Sequence, residues 1–190
     1  MSVSYSVDDS KNNCPPDIHF RTFLKHKKDY SFKNTKIISF IKAHNNSIWT
    51  LAMSPDGKYV ASAGEDKVII LYSIYKDQPF LKIEQKFNGH TFDIVHLSWS
   101  KDNFLLSCSL DSTVRLWNPT QKDSISVFKH EDAVTSAAFN PKDSNVFASC
   151  TFGLAAYVWN IADHTIIKTI KFNSPPTALT YSLDGSKIVV

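Results

Sequence analysis

The sequence predicts an all-β chain assembled from tandem four-stranded units. Three observations predict it. His44, His90 and His130 stand 46 and 40 residues apart, and each opens the same succession of residue types. Each succession consists of short apolar runs separated by Ser, Asn, Asp, Pro and Gly, the residues that favour tight turns. Each also closes its third run on an aromatic residue, Tyr72, Trp117 or Trp159. Self-similarity at such a period is the mark of stacked repeats, each too small to bury an apolar face alone.

The first unit has strands at Ile48 to Met53 and Val60 to Ala63, a third ending at Tyr72, and a fourth over Phe80 to Phe87. The polar turn Ser54-Pro55-Asp56-Gly57 separates its first two strands. The second unit repeats this with Ile94 to Trp99, Ser100-Lys101-Asp102-Asn103, Leu105 to Cys108, the strand ending at Trp117, and Ile125 to Phe128. The third has Val134 to Phe139, Asn140-Pro141-Lys142-Asp143, Phe147 to Cys150, the strand ending at Trp159, and Ile166 to Phe172. Gly57 and Asn103 suit the left-handed backbone of a tight turn. Small residues on the second strands let neighbouring sheets pack closely. Strict alternation is weak there, as expected of inner strands buried on both faces. A further unit begins with a strand over Pro176 to Ser182, the turn Leu183 to Ser186, and a strand from Lys187 to Val190. Upstream, Lys36 to Lys42 has the character of a fourth strand with no unit before it.

Composition supports a packed core. Of 190 residues, 43% are hydrophobic and 13% aromatic, and the length fits one domain or two. Lys and Arg exceed Asp and Glu by 21 to 18, and a net charge of +3 does not mark a nucleic-acid binder. The longest apolar run, Val68 to Tyr72, is too short to span a membrane. The first residues lack the basic and apolar regions of a signal peptide, so a cytoplasmic location is expected. Cys14, Cys108 and Cys150 form no CxxC pair, and the seven histidines form no HExxH pair, so no metal site is expected. No phosphate-binding glycine loop appears, and no cofactor is expected.

Gly89-His90 together with Asp111-Ser112-Thr113-Val114-Arg115-Leu116-Trp117 resembles the WD40 repeat, which builds β-propellers. The resemblance covers residues 36–190 and implies an incomplete WD-repeat propeller of about three and a half blades. Its parts are a lone outer strand over 36–42, blades over 43–87, 88–128 and 129–172, and the start of a further blade over 173–190. Residues 1–35 read as a flexible lead-in. A seven-bladed ring needs roughly 290 residues, so the expectation is a piece of a longer protein or half of a composite propeller.

Two chemical readings attach to the recurring Ser, His and Asp. One is a hydrolase triad, although no GxSxG nucleophile elbow is present. The other, implied by the resemblance, is a structural hydrogen-bond chain through Trp117, Ser107, His90 and Asp111, with His44, Ser62 and Asp66 as the first unit's set. Tyr72 stands where an indole is expected, Gly153 where the Asp is expected, Tyr157 opposite Arg115, and Phe172 in place of a fourth His. The third unit's chain is therefore expected to be interrupted.

The resemblance also implies protein or peptide binding where the loops enter the first strands. The positions are Ser47, Trp49 and Glu65; Asp93, Val95 and Leu110; and Ala133, Thr135 and Phe152. Of these, Trp49, Val95, Leu110 and Phe152 would form an apolar strip with Glu65 and Asp93 beside it; the alternative is that Trp49 and Leu110 pack between blades. The basic, aromatic stretch around Arg21, Lys25, Lys27, Lys28 and Lys33 offers a lipid, nucleic-acid or partner contact, or simply packs beneath the first blade.

Ser47-Ile48-Trp49-Thr50, Leu97-Ser98-Trp99-Ser100-Lys101 and Phe139-Asn140-Pro141 are similar to a branch of WD-repeat proteins that contains a Rab-GTPase effector of endosomal recycling. This implies a non-enzymatic cytoplasmic scaffold linked to vesicle traffic, reaching endosomal membranes through partners. The alternatives are a Ser/His/Asp hydrolase and an RNA- or chromatin-associated scaffold.

Overall fold

A computed structural model of the chain describes residues 41–76 and 80–190. The expected lead-in over 1–35, its basic aromatic stretch, and all but the last two residues of the expected strand over 36–42 lie outside the described residues. Residues Lys42–Val190 form one compact unit.

Three four-stranded antiparallel sheets and one two-stranded sheet follow in chain order. The first holds β1 (Ile48–Met53), β2 (Tyr59–Gly64), β3 (Ile69–Ile74) and β4 (Leu81–Phe87). The second holds β5 (Ile94–Trp99), β6 (Leu105–Ser109), β7 (Thr113–Trp117) and β8 (Ser126–Lys129). The third holds β9 (Val134–Phe139), β10 (Val146–Thr151), β11 (Ala155–Asn160) and β12 (Thr165–Lys171). The last pairs β13 (Thr180–Tyr181) with β14 (Ile188–Val189), both shorter than the sequence suggests. The architecture is all-β and propeller-like, with each strand paired to the next in sequence within its own sheet.

The turns explain the regular hairpins. In the first sheet the Gly57 N–H donates to Ser54 O at 2.9 Å, and Asp56 Oδ1 accepts from the Ser54 hydroxyl and the Lys58 N–H. Gly57, Asn103 and Gly185 occupy the same turn position in three sheets, all at φ between 62° and 70°. Only residues that tolerate the left-handed region hold that geometry cheaply. The equivalent turn of the third sheet, from Asn140, is longer and is closed by Val146 N donating to Asp143 O.

The cores lie between sheets. Ala61, Ala63, Ile69, Leu71 and Phe87 of the first sheet face Ile94, Leu97, Leu105 and Trp117 of the second. Leu106, Cys108, Val114, Leu116 and Phe128 of the second face Val134, Ala137, Phe139, Phe147 and Trp159 of the third. Ala148, Cys150 and Ala156 meet Leu179 before β13. Alanine and serine on the second strands leave room for the large side chains opposite, which keeps the interior dense. Hydrogen bonds also tie sheet to sheet: the Trp99 indole to Ala52 O at 3.1 Å, Asn103 Nδ2 to Asp56 Oδ2 at 3.1 Å, and Asn140 Nδ2 to Gly185 O at 3.3 Å.

Candidate interaction face

The first strand of each complete sheet carries a bulge at its second residue. β1 pairs Ile48 with Gly64 and Thr50 with Ala63, passing over Trp49. β5 passes over Val95 between Ile94 and His96, and β9 passes over Thr135 between Val134 and Ser136. A bulge leaves its residue outside the ladder and re-aims the side chain. The three bulged residues occupy the same register position at one end of the unit, where the loops enter the first strands.

The turns joining second to third strands lie at that same end. Each has a non-glycine residue in the left-handed region at its third position: Lys67 (φ 65°), Ser112 (φ 64°) and Leu154 (φ 62°). In the first two sheets the preceding aspartate holds the turn, with Asp66 Oδ1 accepting from Val68 N and Asp111 Oδ1 from Thr113 N. Gly64 lies so close beneath Ser47 O that a side chain there would collide with it. The Ser47 carbonyl also accepts from Glu65 N at 2.9 Å.

The sequence-derived positions divide into two groups. Trp49 is 57% exposed and Phe152 is 52% exposed, while Ser47, Glu65 and Leu110 are also open to solvent. The Trp49 indole donates to Asp93 Oδ2 of the next sheet at 3.1 Å, so these two residues bridge one another. Val95 departs from the expected apolar strip, and Thr135 from the expected outward-facing positions. Val95 packs on the core between the second and third sheets, and Thr135 Oγ1 turns inward to Pro176 O at 2.9 Å. Ala133 is half-buried, with its carbonyl accepting from Phe152 N.

Residues not singled out from the sequence complete the face. Phe92 is 59% exposed, and the Lys67 ammonium lies 5.6 Å from its ring centroid. Leu154, Glu131 and Asp132 are exposed as well, with the Asp132 carboxylate lying against Gly153, the residue after Phe152. Phe92 lies between the Gly-His pair and Asp93, and its apolar character in a polar loop is the signal that would have found it.

Beneath the face lie the Ser/His/Asp sets. In the second sheet the Trp117 indole donates to Ser107 Oγ at 2.8 Å, and Ser107 lies 2.7 Å from His90 Nε2. His90 Nδ1 is 2.8 Å from Asp111 Oδ2, which also accepts from Thr91 N. The Thr113 hydroxyl donates to Asp111 Oδ1 at 2.6 Å. In the first sheet Ser62 lies 2.5 Å from His44 Nε2, and His44 Nδ1 is 2.8 Å from Asp66 Oδ2. Tyr72 takes the position of the indole, its hydroxyl 3.2 Å from Ser62 Oγ. With the serine proton directed at His44, the phenol is the donor.

The third sheet is less interrupted than its sequence suggests. The Trp159 indole still donates to Ser149 at 3.1 Å, and Ser149 lies 2.8 Å from His130 Nε2. Only the acid is replaced: His130 Nδ1 turns to Phe128 O at 3.2 Å. The Asp132 carboxylate occupies the space a side chain on Gly153 would need.

Burial sets the titration of these groups. It holds His90 below the ordinary histidine value, with the Asp111 hydrogen bond opposing it. It lowers His130 further, to about 4, because no carboxylate compensates. Burial pushes Asp111 up, but hydrogen bonds from His90 and Thr113 outweigh it and leave the group well below the usual carboxylate range. Burial also raises the Cys108 and Cys150 thiols, which keeps them protonated.

Comparisons with known proteins place this geometry. The sequence profile of the WD domain, G-beta repeat, matches residues 35–73, 81–118 and 122–166. An uncharacterized WD repeat-containing protein of Schizosaccharomyces pombe is 31% identical over 171 residues, covering 76% of this chain and 28% of that protein. WD repeat-containing protein 44 of Xenopus laevis is 27% identical over 213 residues, covering 85% of this chain and 23% of that protein. The chain thus spans under a third of the length of these relatives. The solved structure of U3-55K superposes with a TM-score of 0.66 at 23% identity, over 73% of this chain and 43% of that one. With the profile matching most of the sequence and the repeated sheets matching a solved fold, the chain belongs to the WD40 repeat family.

Proposed function

We propose that the chain is a non-enzymatic protein-interaction scaffold that acts in Rab-linked vesicle traffic, in the cytoplasm and at endosomal membranes. The observation that carries the non-enzymatic part is the burial of the Ser/His/Asp sets. Ser107 is 0% exposed and already accepts the Trp117 indole, so it has no path to a substrate. A hydrolytic serine needs an accessible oxygen and an oxyanion site beside it. The exposed aromatic side chains at the loop end support the scaffold part. The link to traffic is supported by the sequence series shared with the Rab-effector branch and by the likeness to WD repeat-containing protein 44. Among the described residues no group of His, Cys, Asp and Glu is arranged to hold a metal ion, and no helix is long and apolar enough to cross a membrane.

Proximity labelling from the tagged chain in its own cells tests the reading. The expected outcome is a set enriched in Rab GTPases, their regulators and endosomal proteins. A reproducible set without any of these overturns the traffic reading while leaving the scaffold standing. Covalent labelling of the purified chain by a fluorophosphonate serine probe overturns the non-enzymatic reading.

A further inference from the structure

The two ends of the first strands differ in charge. The turns joining first to second strands are balanced: Asp56, Asp102, Asp143 and Asp184 stand beside Lys58, Lys101, Lys142 and Lys187. The opposite end is not. Its entry loops and second-to-third turns carry Glu65, Asp66, Asp93, Asp111, Glu131 and Asp132 against Lys42 and Lys67, in a chain whose net charge is +3. Asp66 and Asp111 are committed to His44 and His90, and Asp93 accepts from the Trp49 indole, which leaves Glu65, Glu131 and Asp132 facing outward. The lysines at this end, Lys86, Lys129 and Lys171, sit on the fourth strands, at the far edge of each sheet from the first strands. Among the outward carboxylates lie Trp49, Phe92, Leu110, Phe152 and Leu154, all exposed.

We infer that this end binds a polypeptide segment in which Lys or Arg residues flank apolar ones, lying along the row of first strands. The inference rests on the scaffold reading above and adds the chemistry of the partner. Apolar anchors desolvate against Phe152, Leu154, Leu110 and Phe92. Cationic side chains meet Glu131 and Asp132 at one side and Glu65 at the other. Charge complementarity of this kind sets orientation and encounter rate, and excludes acidic segments. The face is equally unsuited to a phosphate backbone, which the same carboxylates repel.

The test pans a random dodecapeptide display library on the full chain, then titrates the best fluorescein-labelled peptide by anisotropy. Enriched peptides are expected to combine Lys or Arg with Leu, Phe or similar residues. Charge reversal by the pair Glu131→Lys and Asp132→Lys, and separately Phe152→Ser, should each weaken binding about tenfold or more. Raising the salt from about 50 to about 300 mM should weaken the wild-type complex and not the charge-reversed one. All three substituted side chains are exposed, so unchanged unfolding curves will separate lost binding from lost folding. Enrichment of acidic or uncharged peptides overturns the inference, as does binding indifferent to both variants. In that second case the scaffold reading survives with its surface elsewhere. No enrichment also overturns the inference, and if proximity labelling then yields no partner, the scaffold reading falls with it.

Discussion

His90→Ala is the substitution whose cost follows most directly from the structure. The imidazole is hydrogen-bonded at both nitrogens, to Asp111 at 2.8 Å and to Ser107 at 2.7 Å. Without it, Asp111 keeps the Thr91 and Thr113 donors, so the carboxylate remains satisfied. Ser107 does not. Its oxygen still accepts the Trp117 indole, but its own proton loses its acceptor in a position closed to water. An orphaned buried hydroxyl costs about 1–3 kcal/mol. The void left by the ring, against Trp117 and the turn above it, adds about 1 kcal/mol more. A loss of about 2–4 kcal/mol is a large share of the stability of a small domain. Urea unfolding at neutral pH, followed by far-ultraviolet circular dichroism, reads it. A double-mutant cycle with Asp111→Ala should show coupling of about 1 kcal/mol or more, since the two side chains share one bond. A loss below about 0.5 kcal/mol, or strictly additive single mutants, would refute the view that this chain of bonds locks the second sheet.

Three further outcomes are expected. Tyr72→Phe removes the phenol that replaces the indole in the first sheet, and should cost about 1 kcal/mol in the same urea assay. Acid should weaken the fold in two stages. With His130 at about 4 in the folded chain and near 6.5 unfolded, the unfolded state takes up the proton first, so stability is complete above about 6.5 and falls by up to about 3 kcal/mol as the pH drops towards 4. Asp111, held below its ordinary value, adds a further loss below about pH 4 as the unfolded carboxyl protonates first. His130→Gln should shrink the upper stage without abolishing it, since burial also holds His90 and His96 below the ordinary histidine value, and should leave the lower stage unchanged, as measured by urea midpoints across the range. Finally, Gly153→Asp should not stabilise the third sheet, because the new carboxylate meets Asp132. Combined with Asp132→Ser, the same change should gain about 1 kcal/mol by giving His130 Nδ1 an acid partner.

The repeated sheets were legible in the sequence because their signals are local. A turn such as Ser54 to Gly57 announces itself through residues that close it by their own side chains. Tyr72, Trp117 and Trp159 mark the third strands because each fills the same place beside a buried serine. The bulges were not legible. Which residue drops out of a ladder depends on backbone pairing with a strand well ahead in the chain, and Trp49, Val95 and Thr135 share no residue type that would reveal it. For the same reason Val95 and Thr135 were expected on the face yet serve the packing between sheets. The Trp49–Asp93 bridge joins residues 44 positions apart and becomes visible only once two sheets stand side by side. In the third sheet, Gly153 in the aspartate position suggested an interrupted chain. The structure keeps the Ser149 and Trp159 links because those residues are unchanged, and the Phe128 carbonyl takes the proton that an acid would have accepted.

The repeated bulge separates two demands that most β-strands must meet with the same residues. Trp, Val and Thr occupy equivalent places in the three sheets, while their neighbours two positions on, Leu51, Leu97 and Ala137, follow the ordinary alternation of the strand. A residue outside the pleat takes its role from what stands beside it: Trp49 stays on the surface and reaches Asp93, Val95 packs on the core, and Thr135 turns to the Pro176 carbonyl. One backbone device thus serves recognition in the first sheet and the joining of sheets in the other two. Variation there is cheap only where the side chain remains on the surface, as at Trp49.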